Sequence, residues 1–199
     1  MMLFNPDPIK FDLPDSDITY YPKCFSEEKS QIFYEKLLAE TPWQQDDITV
    51  FGKTYPQPRL TALYANNKNS YTYSNITMQP HIFSPIVSEI KSIAESITNT
   101  KYTTCLLNLY RDGNDSNGWH ADNEKELGEE PIIASISFGE ARWFHLKHRT
   151  DKNLKAKILL ENGSLLLMKG KTQKYWLHQI PKSKKVKNPR INLTFRIIK

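Results

Sequence analysis

The sequence predicts a mainly β (α+β) protein: an all-β sandwich or jelly roll with two helices as outside support. Two observations lead there. From about Tyr102 onward the apolar residues fall into seven short runs, many of them separated by turn residues. Upstream, two segments show the 3.6-residue apolar spacing of a helix.

Residues 1–24, interrupted by Pro6, Pro8, Pro14 and Pro22, read as an irregular arm. Ser26 then has the chemistry of a helix N-cap. Phe25 precedes it, and Glu27 and Glu28 occupy the first turn, where the helix dipole favours acids. Ile32, Phe33, Leu37 and Leu38 give that helix an apolar stripe, and Pro42 lies beyond its end. Residues 48–52 and 59–65 read as short strands around a Pro-rich turn. Residues 85–96 form the second helix, with Ile86, Ile90, Ile93 and Ile97 on one face. The strands that follow are 104–111, 132–138, 142–148, 155–160, 164–168, 175–178 and 190–198. Asp112-Gly113-Asn114-Asp115 and Glu161-Asn162-Gly163 are the clearest turns between them. Residues 181–187 form a basic loop before the last strand.

Composition excludes several classes. Of 199 residues, 39% are hydrophobic and 12% aromatic, which suits a chain with a real core rather than a disordered one. The longest apolar runs, such as Ile132-Ile133-Ala134, fall far short of the roughly 20 residues of a membrane span. The start, through Asp17, lacks the basic-then-apolar order of a signal peptide. Cys24 and Cys105 read as buried free thiols of a reducing compartment. The expectation is a soluble, intracellular monomer, cytoplasmic if bacterial, with no membrane partner. Residues 151–199 carry 13 Lys/Arg against two acids, a net of +11, while residues 1–150 are net −6. That basic end could steer a polyanion or simply be a solvated face.

The chemistry concentrates in a few residues. His120 and Asp122 are two apart, so on an extended stretch both point to one side. His178, near the end of a later strand, is the natural third ligand, with His81, His145 and His148 as alternatives. Two histidines and a carboxylate form the facial triad of non-haem Fe(II) oxygenases, which leaves coordination positions open for a bidentate 2-oxo acid and for O2. On the last strand, residues 190, 192, 194 and 196 share one face, which taken alone reads as an ordinary solvent-side face and beside the triad reads as a matching anion site. Arg190, Asn192 and Arg196 stand there, while Leu193 and Phe195 face the other way. Buried arginines need anions, and the guanidinium fork matches a carboxylate. Asn108 and Tyr110, also two apart, could add neutral hydrogen bonds.

These pieces occur in order with three others: Glu124 after His120-x-Asp122, Ala134-Ser135-Ile136-Ser137-Phe138-Gly139, and Gly163-Ser164-Leu165-Leu166. Together, over about residues 50–198, they resemble the AlkB family of DNA and RNA dealkylases, which are Fe(II)/2-oxoglutarate-dependent dioxygenases. The resemblance implies a double-stranded β-helix (jelly-roll) core at about 101–199, with N-terminal helices and a nucleotide-recognition lid at about 1–100. The whole of 1–199 would be a single catalytic domain. His120, Asp122 and His178 would hold Fe(II). Arg190 would pair with the distal carboxylate of 2-oxoglutarate, helped by Asn108 and Tyr110, while Asn192 and Arg196 would steady its metal-binding end. The implied reaction is oxidative dealkylation of bases such as 1-methyladenine and 3-methylcytosine in DNA, with release of succinate, CO2 and formaldehyde.

The N-terminal half is similar to the eukaryotic-type DNA repair dealkylases in particular. Pro58-Arg59-Leu60-Thr61-Ala62 and Tyr71-Thr72-Tyr73-Ser74 look like their substrate lid. Val50-Phe51-Gly52 looks like the finger that the duplex-preferring member inserts beside a flipped base. The surroundings of Pro58, Tyr71 and Trp119 are closer to the single-strand-preferring member. The implied substrate contacts are Phe51 in the base stack, Tyr71, Tyr73 and Ser74 around the base, and Glu124 beside its positive charge. Arg59, Lys182, Lys184, Lys185 and Lys187 would meet phosphates. Two other enzymes fit the same residues: an RNA demethylase, and a hydroxylase of a protein or small molecule. A non-catalytic nucleic-acid-binding module fits them less well, because every residue of the triad and the arginine pair is present.

Overall fold

The structure is a computed structural model that describes residues 7–50, 52–67, 71–73 and 76–198, with the backbone alone at 49–50, 71–73 and 76–77. Strands β1 (Ile9–Phe11) and β2 (Asp17–Tyr21) precede helix α1 (Glu27–Glu40). Then come β3 (Asp47–Val50), β4 (Lys53–Pro56), β5 (Leu60–Ala65), β6 (Tyr71–Tyr73), β7 (Ile76–Met78), β8 (His81–Ile82) and helix α2 (Pro85–Thr98). Next are β9 (Thr104–Tyr110), β10 (Asn117–His120), β11 (Ile133–Gly139), β12 (Arg142–His148), β13 (Lys155–Leu160) and β14 (Ser164–Lys169). The short helix α3 (Thr172–Tyr175), β15 (Trp176–Ile180) and β16 (Arg190–Arg196) complete the order.

Eight strands form one sheet in the order β1-β2-β14-β11-β16-β9-β5-β8, and four form a second, β10-β15-β12-β13. Hairpins β3-β4 and β6-β7 stand outside both. Side chains of the two sheets meet in a shared core. Tyr110, Ile133, Leu166 and Met168 come from the large sheet, and Phe144, Leu146, Ile158 and Trp176 from the small one. This is the expected jelly roll, with its two helices on the outer face of the large sheet.

Period-2 alternation explains the layering. On β16, Ile191, Leu193 and Phe195 join the helix-side core with Phe33, Leu37, Val87 and Ile90. Arg190, Asn192, Thr194 and Arg196 therefore point to the small sheet. On β9, Leu107 and Leu109 face the helices, so Asn108 and Tyr110 also face inward. Register aligns these polar residues into rows: Tyr110 opposite Arg190, and Asn108 opposite Asn192, which faces Ser137 on β11.

Several local expectations change. The arm predicted for residues 1–24 contains two strands: β2 pairs with β14, and β1 pairs with β2. Ile18 and Tyr20 are buried alternately between half-exposed neighbours, and the tight Asp15 turn (φ 55) lets the chain enter the sheet. The Pro-rich turn after residue 52 is strand β4, which pairs with β3. In α1, Ser30, Phe33 and Leu37 face the core while Ile32 and Leu38 are exposed, so its apolar stripe is narrower than the sequence suggested. The Ser26 cap is as expected, its hydroxyl accepting from the amide of Lys29 (3.2 Å). In α2 the buried ridge is Ile86, Val87, Ile90 and Ala94 rather than the four isoleucines. Cys24 and Cys105 are free, with Cys105 buried and Cys24 half-buried. No helix among the described residues is long and apolar enough to cross a membrane.

One turn residue couples α1 to the sheets. Gly163, between β13 and β14, has φ +71, and its amide donates to the carbonyl of Ser137 (2.8 Å) while its own carbonyl accepts from Phe25 (3.1 Å). A Cβ there would run into the Ser30 hydroxyl, on the core face of α1. Gly163→Ala therefore combines left-handed strain of about 1–3 kcal/mol with a clash. The expected result is a urea midpoint lowered at unchanged m-value. A midpoint equal to that of the wild type contradicts this account of the turn.

Candidate metal and oxo-acid site

The three metal-ligand candidates converge. His120 ends β10 and lies directly opposite His178 on β15, their ring centroids 4.2 Å apart. Asp122 follows just past the strand end. Ligand atoms of the three residues all lie within 4.8 Å of one another, and no other such group of His, Cys, Asp and Glu occurs among the described residues. His145 and His148 stand elsewhere on β12. His148 stacks on Tyr175 and meets Trp176 edge-on, and His81 lies on the edge strand β8.

The electrostatics suit a divalent ion. Burial lowers the pKa of His120, and burial followed by the neighbouring His120 lowers that of His178 to about 3. Both rings are therefore neutral near pH 7, as metal ligands must be. The hydrogen bonds assign the tautomer of His120: Nδ1 donates to the carbonyl of Gly118 (2.7 Å), and Nε2 accepts from Asn117 (3.2 Å). Nε2 thus carries the lone pair. Burial opposes the charge on Asp122, but Arg196 and the two histidines hold its carboxyl below the usual range. Arg196 donates to Oδ1 at 2.8 Å, and the Asp122 amide donates to the Gln173 side chain (3.0 Å). Two neutral imidazoles and one carboxylate on one cavity wall form a donor set that fits Fe(II).

The residues assigned to 2-oxoglutarate line the same cavity, between the two sheets. Arg190 is 1% exposed, and its Nη2 donates to Ser137 (2.9 Å). Its Nε and Nη1 have no hydrogen-bond partner among the described residues. Burial lowers its pKa to about 10, against a favourable contribution from Tyr110. A buried guanidinium that is still charged and has two donors unspent lacks an anion. A carboxylate answers that deficit bidentately. Tyr110 stacks between Arg190 and Arg142, with guanidinium carbons 5.3 and 5.4 Å from its ring centre. Asn192 donates to Ser135 (2.8 Å) and the Ile136 carbonyl (3.0 Å), and accepts from Thr194 and, more weakly, from Asn108.

The substrate candidates fare differently. Phe51 and Ser74 lie outside the described residues, and for Tyr71 and Tyr73 only the backbone of the β6-β7 hairpin is described. Glu124 sits at the start of a 3-10 turn, half-buried, its Oε2 without a hydrogen-bond partner among the described residues. Burial raises its pKa, with the Arg196 charge opposing. Arg59 corrects the sequence reading. It is 4% exposed, and it donates from Nε to Asn108 (2.8 Å) and from Nη1 to the Ser116 carbonyl (3.2 Å). With its donors turned inward, Arg59 braces Asn108 and is not displayed for phosphate contact.

The sequence reading gave no role to Arg142, Gln173, Ser135 or Ser137. Arg142 donates to the carbonyls of Asp112, Asp115 and Pro181, and so ties the turn after β9 to the basic loop. Ser135 and Ser137 had a visible signal: they are two small polar residues at period 2 in a buried strand, opposite the arginine strand. Gln173, in a turn of helix, had none.

The fold and the paired metal and anion sites are of the kind that the Fe(II)- and 2-oxo-acid-dependent oxygenases require, and the comparisons agree. A model of the 2OG-Fe(II) oxygenase superfamily matches residues 17–196. The chain belongs to that superfamily and, within it, to the AlkB family. Alpha-ketoglutarate-dependent dioxygenase alkB homolog 3 of Mus musculus is 38% identical over 192 residues, 92% of this chain and 66% of its own length. DNA oxidative demethylase ALKBH2 of Arabidopsis thaliana is 34% identical over 209 residues, 92% of this chain and 67% of its own. The human protein of that name is 37% identical over 158 residues, 76% of this chain and 60% of its own. The chain thus spans 60–67% of the length of these curated relatives. Among solved structures, OsALKBH1 shares the fold at TM-score 0.63 and 19% identity, covering 96% of this chain and 100% of that one.

Proposed function

We propose that this chain is one catalytic unit that removes alkyl groups from N-alkylated nucleic-acid bases, with alkylated DNA as its substrate. The observation that carries the reading is the buried Arg190, its donors unspent, in the same cavity as the His120, Asp122 and His178 cluster. Names of the relatives support the nucleic-acid substrate.

Each residue has a derived task. His120, Asp122 and His178 would hold iron, Asp122 being kept ionised by Arg196. Arg190 would take the distal carboxylate of 2-oxoglutarate, with Tyr110 against its guanidinium face and Asn108 and Asn192 setting the polar floor. Iron with 2-oxoglutarate and O2 supplies the oxidising power that hydroxylates an N-alkyl carbon, leaving succinate and CO2 and, from a methyl group, formaldehyde. Phe144 stacks on His178 (centroids 5.0 Å) and fixes its ring plane. Leu106, Leu160, Met168 and Ile180 exclude water from that wall. Glu124, beside Asp122 and Arg196, would favour the positive charge of a 1-methyladenine or 3-methylcytosine, while Tyr71, Tyr73, Ser74 and Phe51 would meet the extruded base.

The test is 2-oxoglutarate turnover with matched oligonucleotides. Methylated DNA is expected to stimulate succinate formation well above unmethylated DNA of the same sequence. Turnover indifferent to methylation would assign the enzyme to a protein or small-molecule substrate. Faster turnover on the matched RNA would make it an RNA demethylase.

A further inference from the structure

We infer that the outer face of the four-stranded sheet is a platform for the unmodified single strand flanking the damaged base, an inference that rests on the nucleic-acid reading above. Alternation on β12 sends Phe144 and Leu146 into the core and Trp143, His145 and Lys147 outward. On β13, Lys155 and Lys157 point out on the same face, in register with Lys147 and His145. Trp119 lies on the edge strand β10, one residue before the metal-ligand candidate His120. Trp119, His145, Lys147, Lys155 and Lys157 line one open groove.

Two tryptophans stand exposed here, Trp119 at 39% and Trp143 at 45%. Each carries a lysine over its ring: Lys147 at 4.3 Å from Trp119 and Lys157 at 4.9 Å from Trp143. The four strands contain no Asp or Glu, and among the described residues Lys147, Lys155 and Lys157 join no ion pair. Exposed aromatic faces among unneutralised cations are what a single strand needs, since bases stack and phosphates pair. The magnitudes favour the exchange. A lysine over an exposed ring contributes about 0.5–1 kcal/mol, whereas a base stacked on an aromatic contributes about 1–3 kcal/mol. A bound strand can therefore take the indole face and give the displaced lysine a phosphate. The position of Trp119 beside His120 places the platform at the border of the reaction site.

The test uses the full chain with Trp143→Ala and with Lys155→Gln/Lys157→Gln, none of which lines the cavity. Binding of a fluorescein-labelled, unmodified oligo-dT is followed by anisotropy across a salt series. The lysine pair is expected to flatten the slope of log K against log salt by about 1.4, at roughly 0.7 per phosphate contact on single strands. Trp143→Ala is expected to weaken binding roughly tenfold, as one lost stacking contact implies. KM for a long methylated oligonucleotide should rise in step, with kcat and the KM for a methylated trinucleotide unchanged. Variants that bind oligo-dT like the wild type overturn the platform, as does a wild type that does not bind it. A lysine effect without a Trp143 effect overturns it in favour of a charge patch for any polyanion. Binding requires no turnover, so a protein that binds oligo-dT through this face yet dealkylates nothing keeps the platform and loses the proposed reaction.

Discussion

Asp122→Ala is expected to lose activity and folding stability together, whereas His178→Ala loses activity with a much smaller stability cost. Both remove a ligand, so succinate formation should fall by more than the 10–100-fold typical of changes behind the ligand shell. Their stability effects differ because the two side chains carry different charge. Asp122 is the buried partner of Arg196, at 2.8 Å with both side chains almost fully enclosed. Removing the carboxylate leaves Arg196 charged and without that partner in a dry interior, at a cost of about 3–5 kcal/mol. For a chain of this size that corresponds to a fall in Tm on the order of 10 °C. His178 is neutral, and its removal costs the Phe144 stacking contact and a cavity but no charge balance. Thermal melts of the metal-free proteins check this directly. Equal losses of Tm in the two variants would mean that the Arg196–Asp122 pair does not hold the site together.

Arg190→Met is expected to weaken 2-oxoglutarate binding while leaving the ligand-free protein as stable as the wild type, or more so. Arg190 is fully buried, and among the described residues only its Nη2 finds a hydrogen-bond partner, Ser137. Replacing a buried charge by an apolar side chain of similar volume is often neutral or stabilising by about 1–4 kcal/mol. Truncating one partner of a buried charge pair costs about 2–5 kcal/mol in binding. Affinity for the oxo acid should therefore fall by roughly 30-fold to several-thousand-fold. Arg190→Lys keeps the charge but loses the fork, so it should fall between the two. The measurement is the rise in Tm on adding 2-oxoglutarate with a redox-inert divalent metal. A variant Arg190→Met that keeps the full rise would show that the oxo acid is anchored elsewhere.

The two predictions draw on parts of the site that were unequally legible in the sequence. The arginine strand could be read because its alternation is strict: Leu193 and Phe195 assign one face to the core, and the other face follows. His120 and Asp122 could be read for the same reason, since both lie at or beside a strand end. Arg59 could not. A basic residue after a proline looks solvent-exposed, and only the pairing of β5 with β9, which sets Thr61 opposite Asn108, turns its guanidinium inward. The N-terminal arm misled for a related reason. Its prolines mask an alternating Asp17–Tyr21 strand whose partner lies more than 140 residues away, and local pattern carries no information about that pairing. Ile32 and Leu38 look like core residues by type, yet the surface that α1 meets is only wide enough for the row of Ser30, Phe33 and Leu37. The outer face of the small sheet was missed because its two tryptophans sit in separate strands, and only the sheet brings them onto one basic surface.

The most direct test of the central claim is the stoichiometry of products from one reaction. Iron-loaded protein, 2-oxoglutarate and an oligonucleotide carrying 1-methyladenine should yield formaldehyde and succinate in equal amounts, with neither from His178→Ala. Succinate without formaldehyde, in a protein that binds both iron and the oligonucleotide, would contradict base dealkylation and leave an oxygenase acting on something else.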